Sequence, residues 1–280
     1  MYKTILVHID GSPQQHSRLA AAVQLAEIHG AHLVGSGTTG VSWLDFALLA
    51  GSMGGPIMPD SDFQALRDAA NLRLEGFTGE ARRLGVASFE SRLVEDDPRY
   101  ALLMQSRYAD LTVLSQDSDP DPDLPVRVRG LPEHLALHGA RPVLVVPESY
   151  MGQPIPGTAV VGWDGSMQAI RAINAALPLL RRAQSVQLAL INPDRLGELH
   201  GEEPGADMAL YLARHGVQVE VVVERTRSTT ADALISLART GGAALLVAGA
   251  YGHSRYREWV LGGATRELLQ RAPVPLLLAH

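Results

Sequence analysis

The sequence predicts an α/β protein made of two copies of one doubly wound domain in tandem. Three features predict this: an internal repeat, short apolar runs that read as buried strands, and helical stripes between them. The repeat is visible at both ends of each half. Thr4-Ile-Leu-Val-His-Ile-Asp10-Gly11-Ser12-Pro-Gln14 returns as Thr158-Ala-Val-Val-Gly-Trp-Asp164-Gly165-Ser166-Met-Gln168. Ala140-Arg-Pro142-Val-Leu-Val-Val returns as Ala272-Pro-Val-Pro275-Leu-Leu-Leu. The offsets, 154 and 133 residues, leave about 21 extra residues in the first half, and Thr39 to Pro59 has no clear counterpart in the second.

Strands come next. In the second half, runs at 158–163, 185–191, 217–223, 243–249 and 274–279 are short and rich in Val, Ile and Leu, the pattern of strands buried on both faces. The first half repeats the scheme at about 3–9, 31–37, 86–93, 110–115 and 142–147. Between the strands lie helical stripes: Ile170, Ile173, Ala176, Leu177 and Leu180 form one, and Leu234, Ile235, Leu237 and Ala238 another. Strands alternating with helices imply right-handed βαβ units and a parallel sheet. The expected domains are 1–148 and 157–280, joined by a linker from Pro147 to Gly157 that holds three prolines and two glycines.

Composition narrows the function. With 46% apolar and 19% charged residues over 280 positions, each half has enough material for a core. No apolar run reaches the ~18 residues of a membrane span, and the N-terminus lacks a signal-peptide pattern. No cysteine is present, which removes disulfides and thiolate chemistry, and a cytoplasmic location is expected. A net charge of −6 argues against a nucleic-acid partner. Lys3 is the only lysine and no G-x-x-x-x-G-K-[ST] run occurs, so this is not a P-loop protein.

Doubly wound sheets bind ligands beyond the carboxyl ends of their strands, where strand order switches. In the second half the fourth strand runs into Gly249-Ala-Tyr-Gly252. Nine residues follow, His253 to Leu261, and then Gly262-Gly263 opens a helical pattern with Ala264 and Thr265. Glycines let a phosphate approach backbone N–H groups, and a helix N-terminus adds donors and a positive dipole end. His253, Arg255 and Arg257 lie in the spacer, as phosphate contacts or as solvated loop residues.

These features resemble the universal stress protein family. Val-Gly-Trp-Asp164-Gly165-Ser, Gly249-x-x-Gly252, Gly262 after a nine-residue spacer and the ending Ala272-Pro-Val-Pro-Leu-Leu carry the match, and the resemblance extends over both halves. It implies a Rossmann-like five-stranded parallel sheet per half with helices on both faces, and the two halves packed around their last strands. A homodimer of whole chains is a further option. It also implies an adenine nucleotide (ATP, ADP or AMP, with Mg²⁺ in the ATP case) as ligand of the second half. Asp164 would lie near the adenosine, Gly249 and Gly252 at the ribose and phosphates, and Gly262 at the phosphates. One departure stands out. Where the family's ATP-binding pattern has Ser or Thr after the last glycine this chain has Gly263, a lost hydroxyl donor worth about 0.5–1.5 kcal/mol.

The first half departs further. After Leu111-Thr-Val-Leu-Ser115 come Asp117, Asp119, Asp121 and Asp123 with Pro120 and Pro122, and no glycine until Gly130. Carboxylates repel a polyphosphate and proline removes donors, so this half is expected to have lost its site. Asp10 is then a turn and helix-cap residue.

Other readings stay open. Asp164-Gly165-Ser166 also reads as a plain turn and N-cap, and Gly262-Gly263 as a loop-to-helix junction. Glu133, His134 and His138 share a helical stretch, but no third ligand declares a metal site. The insertion 39–60, with Trp43, Leu44, Phe46, Leu48 and Leu49, is apolar for a loop and is expected to pack as a lid on its own half, with a partner surface or the enclosure of an apolar ligand as alternatives. The function expected is regulatory nucleotide binding in a stress response. No dedicated machinery for hydrolysis is evident, though slow turnover is conceivable. The alternative is a nucleotide-free scaffold or protein-interaction module.

Overall fold

The computed structural model describes residues 1–52, 59–117, 130–195, 203–251 and 263–280. The strands are β1 Thr4–Ile9, β2 His32–Thr38, β3 Phe89–Val94, β4 Leu111–Ser115 and β5 Val143–Val146, then β6 Thr158–Gly162, β7 Ser185–Ile191, β8 Val219–Glu224, β9 Leu245–Gly249 and β10 Leu276–Ala279. The helices are α1 Gln15–His29, α2 Trp43–Ser52, α3 Pro59–Arg83, α4 Pro98–Ser106, α5 Leu131–His138, α6 Met167–Leu180, α7 Ala206–Arg214, α8 Thr230–Thr240 and α9 Ala264–Arg271.

The strands make one sheet in the order β3-β2-β1-β4-β5-β10-β9-β6-β7-β8. Every neighbouring pair is parallel except β5 and β10, which meet antiparallel through Val145–Leu276, Leu144–Leu277 and Val143–Leu278. Each half is therefore a five-stranded parallel sheet with order 3-2-1-4-5. Its switch point lies between the first and fourth strands. Edge strands β3 and β8 carry Glu90, Arg92, Glu220 and Glu224, charges that discourage further strand addition.

Alternation along the strands sorts side chains into two layers. Ile5, Val7 and Ile9 of β1 lie in the layer that holds α1, α3, α6 and α7, whereas Leu6 lies in the layer of α4, α5, α8 and α9. Each layer is contributed by both halves, so the two cores run without a break across the β5–β10 seam. Ile173, Ala176 and Leu180 of α6 and Leu234, Ile235 and Ala238 of α8 are buried, as their spacing predicts.

Between β2 and β3 the chain is longer than between β7 and β8, and the excess forms α2 and a 25-residue α3 against a nine-residue α7. Apolar residues from the insertion thus form a helix. Phe46 packs on Phe63 of α3 with ring centroids 5.6 Å apart, and the Trp43 indole N–H donates to Asp60 at 3.3 Å. Trp43, Leu44, Leu48 and Leu49 remain 45–65% exposed, so only one face of α2 packs on its own half.

The linker is fixed by one glutamine. Oε1 of Gln24 accepts the Ile155 N–H at 2.7 Å and the Tyr150 hydroxyl at 3.4 Å, while Nε2 donates to the Gly152 and Gln153 carbonyls. Ile155 is buried, so its N–H has no water to turn to. Gln24→Leu is expected to cost about 1–3 kcal/mol by stranding that donor. In urea unfolding the midpoint should fall while the slope stays unchanged.

Candidate functional site

The switch point of the second half is built from the ends of β6 and β9. β6 delivers Asp164 in a tight turn: its Oδ1 accepts the Ser166 N–H at 2.9 Å, and Gly165 turns the chain at φ +78°. Ser166 then caps α6, its Oγ accepting the Ala169 N–H at 3.1 Å. Asp164 and Gly165 therefore do form the turn that the sequence allows, with Ser166 as the cap.

β9 ends on Gly249. A Cβ there would sit 2.5 Å from the Ala169 backbone nitrogen and 2.7 Å from the Gln168 carbonyl carbon. Close approach of α6 to β9 is thus reason enough for this glycine. Tyr251 follows in the left-handed region at φ 58°, with its N–H donated to Thr265 Oγ1 at 3.0 Å and its hydroxyl to Glu133 at 2.5 Å. Gly263 is the N-cap of α9 and brings no side-chain cap, so the leading N–H groups of Ala264 and Thr265 point out of the helix end. Thr265 itself is buried, its hydroxyl turned to Tyr251. Thr229 Oγ1 donates to Glu267 at 2.9 Å, and Arg271 pairs with Asp232 at 2.9 Å, which holds α9 against α8. Gly252, His253, Arg255, Arg257 and Gly262 lie outside the described residues.

The strand after β6 adds groups that the motifs do not announce. Beyond β7 and β8, Asn192, Asp194, Arg225, Thr226 and Arg227 line a cavity of about 300 Å³. Asn192 sits at φ 49° and its Oδ1 accepts the Thr226 N–H at 2.9 Å, while Arg225 pairs with Asp194. The switch-point rule applied to the second strand as well as the first and fourth would have drawn attention to this loop. A wider cavity of about 630 Å³ lies between the halves, lined by Tyr2, Asp110, Arg141, Arg171 and His280 among others. Among the described residues neither Asp164, Gly249 nor Tyr251 lines it.

Registers β1–β4 and β6–β9 superpose the halves: Val7 opposite Val113 matches Val161 opposite Val247. Asp10 then corresponds to Asp164, Arg18 to Ala172 and Ser115 to Gly249. In the first half, Arg18 lies across the switch point, 2% exposed, with one terminal nitrogen 2.6 Å from Asp10 and the other donating to Ser115 Oγ at 2.8 Å. Arg73 reaches the Asp10 and Thr38 carbonyls, both at 3.4 Å. Farther along, Asp117 accepts the Gly130 N–H at 3.1 Å, placing a carboxylate at the N-terminus of α5.

Electrostatics follow the packing. Burial would raise the Asp10 carboxyl, but the Arg18 guanidinium outweighs it, helped by His8 and the Ser12 N–H, and holds it well below the usual carboxylate range. His8, 3.6 Å from Asp10, is pushed down to about 4 by burial, with Arg18 and Arg73 opposing its charge against the pull of Asp10. Asp117 goes the other way, to about 6, chiefly by burial and with Glu133 adding to the rise against the Gly130 N–H and Arg99. Asp10 accepts the Ser12 N–H and hydroxyl and so makes a turn, but α1 takes no side-chain cap from it. Its ion pair with Arg18 is a role the sequence reading missed. His134 and His138 stack at 4.5 Å, with the His138 ring on the His134 carbonyl, and Glu133 points to Tyr251.

Residues 157–280 match the model of the universal stress protein family. This half is a universal stress protein domain. Over the whole chain the fold is similar to a universal stress protein from Archaeoglobus fulgidus DSM 4304, with 15% identity, 99% of this chain and 95% of that chain covered, and a TM-score of 0.68. It is also similar to a protein of unknown function from Pseudomonas aeruginosa PAO1, with 17% identity, 99% and 92% coverage and a TM-score of 0.58. A universal stress protein in complex with cAMP aligns with 53% of this chain and 99% of its own, at 20% identity and a TM-score of 0.36. No curated protein matches this sequence. The fold of a universal stress protein thus extends over both halves. Among the described residues no helix is long and apolar enough to cross a membrane.

Two outcomes test this geometry. Arg18→Met should destabilise the protein by about 2–4 kcal/mol at pH 7, because Asp10 stays charged and loses its partner. Asp10 is depressed in the folded state, so the Arg18–Asp10 stabilisation is present above the unfolded pKa near 4 and fades as pH falls below it. Thermal melts of the two proteins should therefore begin to draw together only as the pH falls below about 4, with most of the gap still open at pH 3. Gly249→Ala should cost about 1–3 kcal/mol without any ligand, since the clash is with backbone. Wild-type stability in that variant would leave the α6–β9 contact without its stated role.

Proposed function

We propose that this chain binds an adenine nucleotide, ATP, ADP or AMP, at the switch point of its C-terminal half and acts as a regulatory protein of a stress response. The observation that carries this reading is the contrast between the two halves. In the first, Arg18 and the Asp117 carboxylate occupy the positions where a nucleoside and its phosphates would lie. In the second, the matched switch-point positions hold Ala172 and Gly249, and the N-cap of α9 is Gly263, which gives the helix no side-chain cap. Asp164 would face the ribose or base. Gly249, Gly252, Gly262 and Gly263 would offer backbone N–H groups to phosphate, joined by the first-turn amides of Ala264 and Thr265. Gly165 would shape the turn, and His253 and Arg255 would add positive charge with Mg²⁺ screening the polyphosphate. A cytoplasmic location and a homodimer of whole chains belong to the same reading.

A second reading, a scaffold that engages a protein, is favoured by one feature only: the exposed Trp43, Leu44, Leu48 and Leu49 of α2. The two readings part on a single titration. Calorimetry with ATP, ADP and AMP, with and without Mg²⁺, is expected to give about one nucleotide per chain, lost in Gly252→Asp through repulsion and lost backbone access. Phosphate release from the loaded protein reads any slow turnover. No heat at millimolar nucleotide would leave the scaffold reading in its place.

A further inference from the structure

Tyr251 is one of the two residues, with Ala250, that the pattern Gly249-x-x-Gly252 leaves unspecified, and its geometry is unusual. A bulky side chain at φ 58° is strained by about 1–2 kcal/mol and persists only where its surroundings impose it. Two hydrogen bonds do so. The backbone N–H is held by Thr265 in the first turn of α9, within the same half. The hydroxyl is held by Glu133, which stands in the first turn of α5 in the other half. An O–H donor on a carboxylate belongs to the stronger, charge-assisted class of hydrogen bond.

Glu133 is itself anchored. α5 begins at Gly130, in the left-handed region at φ +68°, and its N–H is taken by Asp117. Asp117 is the first-half counterpart of Tyr251, so the two matched positions behave differently: one closes its own helix end and the other reaches across the seam. Asp117, Gly130, Glu133, Tyr251 and Thr265 form a continuous path from the filled switch point to the start of α9. Leu135 and Leu268, on the two helices, lie in the same core layer.

We infer that Glu133 is a positioning residue for the opposite half: by holding the Tyr251 hydroxyl it fixes the turn Gly249–Tyr251 and so sets the affinity of the glycine loop for phosphate. The reach to affinity rests on the nucleotide reading above; the hold on the turn does not. On this view the first half, with its own switch point filled, retains a role as the frame that shapes the second.

The full-length chain tests this with Glu133→Ala, Glu133→Gln, Tyr251→Phe and the Glu133→Ala/Tyr251→Phe double variant. Hydrogen exchange without nucleotide comes first. Amides of 249–251 should exchange about tenfold faster in Glu133→Ala and Tyr251→Phe, and stay close to wild type in Glu133→Gln, whose amide oxygen still accepts the hydroxyl. Amides of β8 should not change. ATP titration comes second: Glu133→Ala and Tyr251→Phe should each weaken binding about five- to tenfold, and the double variant no further, with Glu133→Gln restoring most of the loss. Unchanged exchange at 249–251 in Glu133→Ala overturns the inference. So does a double variant whose losses multiply, or ATP affinity that ignores Glu133→Ala while wild type binds. If wild type binds no nucleotide yet exchange responds as described, the hold of Glu133 on the turn stands and the nucleotide reading falls.

Discussion

The antiparallel seam between β5 and β10 is the constraint on which the rest of this structure depends. Each half ends in a strand of four residues, and each would otherwise present an apolar edge to water. Pairing Val143, Leu144 and Val145 with Leu278, Leu277 and Leu276 removes both edges and merges two sheets into one. Burying each of these side chains contributes about 1.5–3 kcal/mol, so the seam is part of the core and not a contact between finished bodies. Both helical layers are continuous across it, which is why α5 of one half can lie against α9 of the other and place Glu133 within reach of Tyr251.

With the seam fixed, duplication becomes a way to divide labour. In both halves a carboxylate follows the first strand, but its surroundings differ. Asp10 is enclosed by Arg18, His8 and Ser12, whereas Asp164 closes a short turn in the half where Ala172 takes the position of Arg18. An arginine in α1 supplies the counter-charge of Asp10 from within the chain. Likewise Asp117 provides at the start of α5 the anion that a bare helix end attracts from outside. One half has thus incorporated its counter-charges into the chain, and the comparison makes the other half's smaller side chains informative.

Much of this was legible in the sequence because buried parallel strands leave little freedom of composition. Leu-Leu-Val-Ala and Val-Leu-Val-Val admit few alternatives to a strand covered on both faces, and their repetition fixed the tandem order. α2 was harder, since its residues are apolar on more than one face and no stripe singled out a core side. Arg18 was missed for a different reason. It sits among Leu19, Ala21 and Ala22 in a helical run where an arginine reads as a solvated face, and its partners Asp10 and Ser115 become neighbours only through the β1–β4 register. Gly249 was legible as a glycine that matters, but one sequence could not separate helix packing from ligand access as the cause. The Tyr251–Glu133 contact spans 118 positions and has no local signature at all.

The antiparallel seam also decides the symmetry of the molecule. All strands of one half run against those of the other, so the carboxyl edges of the two halves face opposite ends of the sheet. Two identical copies joined this way would present the same surface at either end. Here one end carries Arg18 and Asp10 locked together, and the other carries the glycine loop. The chain is therefore a polar object, with a head and a tail, and only a head-to-tail assembly of it would carry a direction.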